Sequence, residues 1–238
     1  MAKIIKVVGR QVFDSRGNPT VEAEVFLNNK TKASAIVPSG ASTGAFEAYE
    51  LRDDNKNYFL GKSVLNALKN INTIINKNLK NIDSGNQKKI DQILLDLDGT
   101  ENKKKLGANA LLAVSLAVFK AEAASKKKEL YQHLGKKFLL PKPLMNIING
   151  GAHADNNLRI QEFMIRPDSA KNFMDAIEKC FLVIQNLKKI LQSKNLSTNV
   201  GDEGGFAPLI NSNEEALDLV VQAIEKSKLK PGVDINIC

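Results

Sequence analysis

Tryptophan is absent, and Phe, Tyr and Trp together make up only 5% of the 238 residues. No aromatic side chains alternate with the lysine runs Lys103-Lys104-Lys105 and Lys126-Lys127-Lys128, so the stacking platform that single-stranded nucleic acid requires is missing. The net charge of +8 therefore reads as solvated helix faces and ends, and nucleic acid is not expected as a partner. Cysteine is scarce as well: Cys180 and Cys238 stand far apart, with no CxxC spacing and only His133 and His153 to accompany them. That excludes a disulfide framework and a Cys/His zinc site, and it suits a reducing compartment. No uninterrupted apolar run approaches the ~18–20 residues of a membrane helix. Met1-Ala2-Lys3 opens straight into a strand-like run and not into a signal peptide's apolar core. The expectation is a soluble cytoplasmic protein without membrane insertion. What is present is a globular composition, 43% hydrophobic and 25% charged, long enough for one large domain or two ordinary ones.

The hydrophobic period divides the chain. Residues 4–37 alternate like three strands, Ile4–Phe13, Thr20–Leu27 and Thr31–Val37, joined by the polar turns Asp14-Ser15-Arg16-Gly17-Asn18-Pro19 and Asn28-Asn29. They predict an antiparallel meander. Helical spacing follows Gly61, with Val64, Leu65, Leu68, Ile71, Ile74 and Ile75 on one face and Ile90, Ile93, Leu94 and Leu97 on the next helix, both expected on the sheet. The Ala- and Leu-rich stretch 106–134 predicts a buried helix pair, and Pro141 and Pro143 punctuate what comes next. A boundary near 135–142 gives domains 1–138 and 139–238. The second domain opens with short strands at Leu144–Ile148 and Phe163–Ile165. A helix over 169–191 then carries Phe173, Ile177, Phe181, Ile184, Leu187 and Leu191 as its stripe. Another helix is capped by Ser212 with Glu215 reaching back, and buries Leu217, Val220, Val221 and Ile224. Val233–Cys238 alternates like a further strand with no helix after it, and roughly 100 residues fall far short of the ~250 of a complete β/α barrel. The expectation is a truncated polypeptide or half of a larger domain.

Three loops carry chemistry. Pro38-Ser39-Gly40-Ala41-Ser42-Thr43-Gly44 is all small residues between glycines; by itself it reads as an ordinary strand-to-helix connection, or as a lid bearing hydroxyls. Asn149-Gly150-Gly151-Ala152-His153-Ala154-Asp155 lies just past a strand end, where α/β folds place ligands, and His153 there is either structural or directed into a site. Gln161-Glu162 precedes the next strand, and its carboxylate needs a cation, a positive side chain or a helix end. Gly201-Asp202-Glu203-Gly204-Gly205 sets adjacent carboxylates among glycines. Their mutual repulsion pushes one pKa upward, which suits a general acid near neutral pH. A solvated acidic turn is the alternative, while a calcium loop lacks the necessary alternation of oxygen ligands.

Taken in order, Asp14–Glu22, Pro38–Gly44, Leu97-Asp98-Gly99-Thr100, Lys105–Ala110, Asn149–His153, Gln161–Met164 and Gly201–Gly205 resemble the motifs of the enolase family over the whole chain. The resemblance implies an α+β N-terminal domain, a three-stranded antiparallel meander plus helices. This is followed by the first part of a β/α barrel that opens with two strands and two helices. It implies a lyase that reversibly dehydrates 2-phosphoglycerate to phosphoenolpyruvate in glycolysis and gluconeogenesis with two magnesium ions (Mg2+) and a lysine base. By that resemblance Glu203 is the acid for the departing hydroxide and Asp202 tunes it. Glu162 and His153 belong to the substrate's polar shell, with His153 assisting or orienting the leaving group. Gln161 is a substrate-contacting amide, and Ser42 joins the second magnesium when the lid closes. A homodimer or higher oligomer built on N-terminal residues is implied too.

The carboxylates that hold the first magnesium, the lysine base and the arginine, serine and lysine that clamp substrate follow the last strand in the family. The 238 residues alone are therefore expected to be inactive. The alternative is a natural truncated product acting as a non-catalytic binding or surface module, a role enolases are reported to take with plasminogen and RNA-processing machinery; besides the cytoplasm, the resemblance implies secretion or a cell-surface location by a non-classical route. Arg159 departs from bacterial relatives, which tend to carry an acidic residue there, and is expected to point to solvent. The chain's basicity is also unusual for the family.

Overall fold

In the computed structural model, which describes residues 1–40, 44–201 and 204–238, the alternating N-terminal segment forms β1 (Ile4–Phe13), β2 (Pro19–Leu27) and β3 (Lys32–Val37). They pair antiparallel in the order β1-β2-β3. Val21, Ala23, Val25 and Leu27 of β2 enter the core, and Glu22 and Glu24 on the other face pair with Arg10 of β1. The turn between β1 and β2 is built by Asp14. Its Oδ1 accepts the N–H groups of Arg16 (2.9 Å) and Asn18 (2.8 Å), and Gly17 supplies φ +76°. The Asn18 N–H first, and then that of Arg16, hold the Asp14 carboxyl below its ordinary pKa.

The first helical segment is α1 (Leu65–Asn70), a π turn (Ile71–Ile75) and α2 (Asn76–Leu79). Leu65 and Ile74 of the predicted stripe are 47% and 38% exposed, while Val64, Leu68, Ile71 and Ile75 make the seam. The wider π turn rotates Ile74 off it. The same segment covers the backbone of β1: Gly9 N–H donates to Asn72 Oδ1 (2.8 Å), Asn72 Nδ2 donates to Gly9 O (3.2 Å), and Val7 N–H donates to Asn76 Oδ1 (2.8 Å). The next two helices are α3 (Gln87–Asp98) and α4 (Ala108–Ser125). The expected sheet packing of α3 is replaced by packing on α2 and α4, and the Ala-rich α4 lies on β2 and β3.

At 18 residues and mean hydropathy 1.3, α4 has the length and composition of a membrane span. It is a core helix that carries Lys120 and a buried Glu122. Burial pushes the Glu122 carboxyl up, but Lys126 (2.8 Å), the Ser84 hydroxyl (2.5 Å) and the field of His133 outweigh it and leave its pKa below the ordinary value. Asp98, at the end of α3, behaves alike. Burial raises it, yet the Thr100 hydroxyl and the N–H groups of Leu106 and Thr100 bring it below the usual range, which explains the Leu97-Asp98-Gly99-Thr100 motif as a helix stop. A short α5 (Leu130–Leu134) completes this unit, Met1–Phe138.

The second unit, Leu139–Cys238, contains β4 (Met145–Asn149), β5 (Glu162–Arg166), α6 (Phe173–Ser193), α7 (Asn213–Lys226) and β6 (Asn236–Ile237). The strand order is β4-β5-β6, each pair antiparallel, and α6 packs on α7. On α6 the core seam is Ala176, Cys180, Val183, Leu187, Ile190 and Leu191; the predicted stripe is wrong at Phe173 (43% exposed) and Phe181 (57%). On α7 it is Ala216, Leu219, Val220, Ala223 and Ile224, with Leu217 36% exposed. Ser212 caps α7 through the Glu215 N–H (3.1 Å), whereas the Glu215 carboxylate reaches the Asn211 N–H (3.1 Å) and not Ser212. The final strand is shorter than expected because Val233 and Asp234 stay in a turn on Lys230. Asp168 ties β6 down: Arg166 grips both its oxygens (2.7 Å each), Asn236 donates to it, and Lys142 lies 3.7 Å away.

Candidate active site

The end of β4 gathers the chemistry. Asn149 closes the strand, and Gly150 and Gly151 turn the chain back on the segment leading into β5: Gly150 N–H donates to Gln161 O (3.0 Å) and Gly151 N–H to Leu158 O (2.9 Å). Both glycines are required by the turn. A Cβ on Gly150 would collide with Ile160 O and Leu158, and Gly151 has φ +53°. The single turn Gly151–His153 then brings His153 over the start of β5.

His153 is 6% exposed and sits between two partners. Its Nε2 is 2.8 Å from Gln161 Nε2, and its Nδ1 is 3.6 Å from Glu162 Oε1. The carboxamide matches either tautomer, its nitrogen donating to a bare Nε2 or, turned over, its oxygen accepting from a protonated one. Burial of the imidazole against a carboxylate that is itself 32% exposed makes an arrangement able to orient a hydroxyl and hold a proton at Nδ1.

The glycine loop that follows α6 meets the same place. Ile148 and Phe206 form a parallel bridge, with Phe206 N–H donating to Ile147 O (2.9 Å) and Asn149 N–H to Phe206 O (2.9 Å). Gly201 N–H donates to Gly205 O (2.9 Å) and closes the loop's neck. A Cβ at Gly201 would stand only 2.7 Å from His153 O. His153, Gln161, Glu162 and the neck of the Gly201–Gly205 loop are therefore brought together. Asp202, Glu203 and Ser42 lie outside the described residues. Arg159 is exposed, and its N–H donates to Asn213 Oδ1 (3.2 Å).

Sequence reasoning passed over Asn146 and Asn156 and gave Asn149 no role of its own, although the three join these loops; the available signal was a strand-end asparagine directly before a Gly-Gly pair. Among the described residues no group of three or more His, Cys, Asp or Glu is placed to hold a metal ion. The magnesium implied by resemblance therefore finds no cage among the described residues.

Residues 4–134 match the family model described as the N-terminal domain of enolase, and residues 137–238 match that of the enolase C-terminal TIM barrel domain. The chain is 60% identical over 240 residues to the enolase of Pelagibacter ubique (strain HTCC1062), an alignment covering 100% of this chain and 57% of that protein. The chain thus spans little more than half the length of the relative it matches.

Proposed function

This chain belongs to the enolase family, and on that premise we propose that the protein carrying these residues reversibly dehydrates 2-phosphoglycerate to phosphoenolpyruvate. The observation that supports this reading is the meeting of the acid loop's neck with His153: the Gly201 Cβ position is 2.7 Å from the His153 carbonyl, beside the His153–Gln161 pair at 2.8 Å. A base removes the proton from C2, and the C–H electron pair is first delocalised into the neighbouring carboxylate as an enediolate; in a second step that pair becomes the C2=C3 bond as the C3–O bond breaks. Glu203 gives its proton to the departing hydroxide, which leaves as water. Asp202 raises the proton affinity of its neighbour. Gln161 and Glu162 bind the polar end of the substrate, and His153 orients the leaving hydroxyl. General acid catalysis of this kind contributes about 10²–10⁴-fold.

The lysine base, the clamp residues and the first-metal carboxylates are implied to lie in the part of the relative that this chain does not span. We therefore assign the activity to the whole protein and none to the 238 residues by themselves, because such groups act as a unit. Mg2+ as cofactor, a homodimer or higher oligomer, and a cytoplasmic location belong to the same proposal. Phosphoenolpyruvate formation from 2-phosphoglycerate, with Mg2+ and with a chelator, tests it. The whole protein turns substrate over only with Mg2+ and the 238 residues do not; turnover by the 238 residues, or none by the whole protein, refutes it.

A further inference from the structure

Three asparagines bind the two loops together without any need to touch substrate. Asn149 has no exposed surface at all. Its Nδ2 donates to Gly205 O (2.7 Å), the same carbonyl that receives the Gly201 N–H at the loop's neck. Its Oδ1 accepts from Asn146 Nδ2 (2.5 Å), so the acceptor side of the carboxamide is engaged and its nitrogen is held toward Gly205. Its backbone carbonyl accepts from Asn156 Nδ2 (2.9 Å), which also reaches Pro208 O (3.2 Å) on the far side of the acid loop. The side chain is wedged as well as bonded, with the Gly201 Cβ position 2.5 Å from Asn149 Nδ2.

The geometry points to Asn149 as a positioning residue for the proposed reaction. It fixes the neck of the loop bearing Asp202 and Glu203 against the His153–Gln161 pair, with Asn156 as the outer brace. This assignment rests on the function proposed above. An amide whose donor and acceptor are both used has one orientation. Removing its donor frees the neck to shift, and a displacement near 1 Å at reacting groups costs about 10²-fold in rate.

The test uses the whole protein with Asn149→Asp and Asn156→Ala. Aspartate keeps the size of asparagine but as a carboxylate has no donor for Gly205 O. Burial raises its pKa, and once protonated it donates again. The expected result is a kcat about 10²-fold below wild type at alkaline pH with KM changed less than about 3-fold, and a variant-to-wild-type ratio that climbs as pH falls. Peptide-level hydrogen exchange quickens over residues 201–206 and holds steady in β5. A wild-type kcat, or a loss that does not recover in acid and accompanies faster exchange throughout 139–238, overturns the assignment. If the aspartate variant does not fold, Asn156→Ala decides: about a tenfold lower kcat supports the brace, and an unchanged kcat refutes it. Should wild type form no phosphoenolpyruvate, the function proposed above fails, while local exchange at 201–206 still decides whether Asn149 holds the neck.

Discussion

Replacing Gly201 by alanine adds one methyl group at the tightest point of the candidate site. Its φ lies outside the left-handed region, so the backbone accepts alanine and the cost is steric alone. The new Cβ would stand 2.5 Å from Asn149 Nδ2, 2.7 Å from His153 O and 3.0 Å from Asn149 Cγ. None of these is the loose end of a flexible side chain, since Asn149 is buried and the other is backbone. Overpacking of this kind costs about 1–3 kcal/mol, and breaking the Asn149–Gly205 hydrogen bond adds about 1 kcal/mol. The total is roughly 2–4 kcal/mol. Gly204→Ala in the same loop is the control: with φ +87° and nothing within 4 Å, it meets only the left-handed backbone penalty of about 1–2 kcal/mol. The unfolded-chain entropy gained on losing a glycine cancels between the two. Hydrogen exchange of β4 and β5 amides reads the difference, with peptides from Met1–Phe138 as an internal reference. The midpoints of the two costs, about 3 and about 1.5 kcal/mol, differ by about 1.5 kcal/mol, so Gly201→Ala should exchange about 10-fold faster than Gly204→Ala. Equal exchange in the two variants would refute the packing of this loop against Asn149.

The Cys180 thiol, pushed up to about 11 by burial, stays unmodified by a thiol reagent at pH 8 in the native protein and reacts after denaturation, as peptide mapping would show. Asp168 is held at about 2, first by its hydrogen bonds from Arg166 and then by Asn236. Its folded pKa lies below the ordinary carboxylate value, so its support for β6 is complete above about pH 4 and disappears as pH falls toward 2. Protection factors of Asn236 and Ile237 should fall over that window, and Asp168→Asn should abolish the dependence. Ser84→Ala removes the hydroxyl 2.5 Å from Glu122 Oε2 and 2.9 Å from Ala2 O, and should cost about 1–3 kcal/mol. With no tryptophan, and with Tyr49, Tyr58 and Tyr131 all before residue 138, tyrosine fluorescence during urea unfolding reports that unit alone.

Alternation and capping made β1, β2, β3 and the helices readable because those signals are local. The faces of α6 and α7 were not. Phe173, Ile177 and Phe181 form an apolar stripe that converges with the true seam at Leu187 and Leu191, and period alone does not choose between two such stripes. Position within the fold chose the smaller Ala176, Cys180 and Val183 as the buried face. The π turn at Ile71–Ile75 escaped for a similar reason, since a single inserted residue shifts phase without changing composition. At the candidate site, His153, Gln161 and Glu162 could be named from their place beside strand ends. Asn149 could not, because an asparagine before glycines reads as a turn former, and its role depends on Gly205, far off in sequence.

Glu203 carries the central claim, and deuterium uptake separates its step from the other. In D2O with 2-phosphoglycerate and Mg2+, the whole protein bearing Glu203→Gln should still exchange the C2 hydrogen, because the base is untouched. Its phosphoenolpyruvate formation should fall by about 10²–10⁴-fold. Phosphoenolpyruvate formed at the wild-type rate would contradict the account.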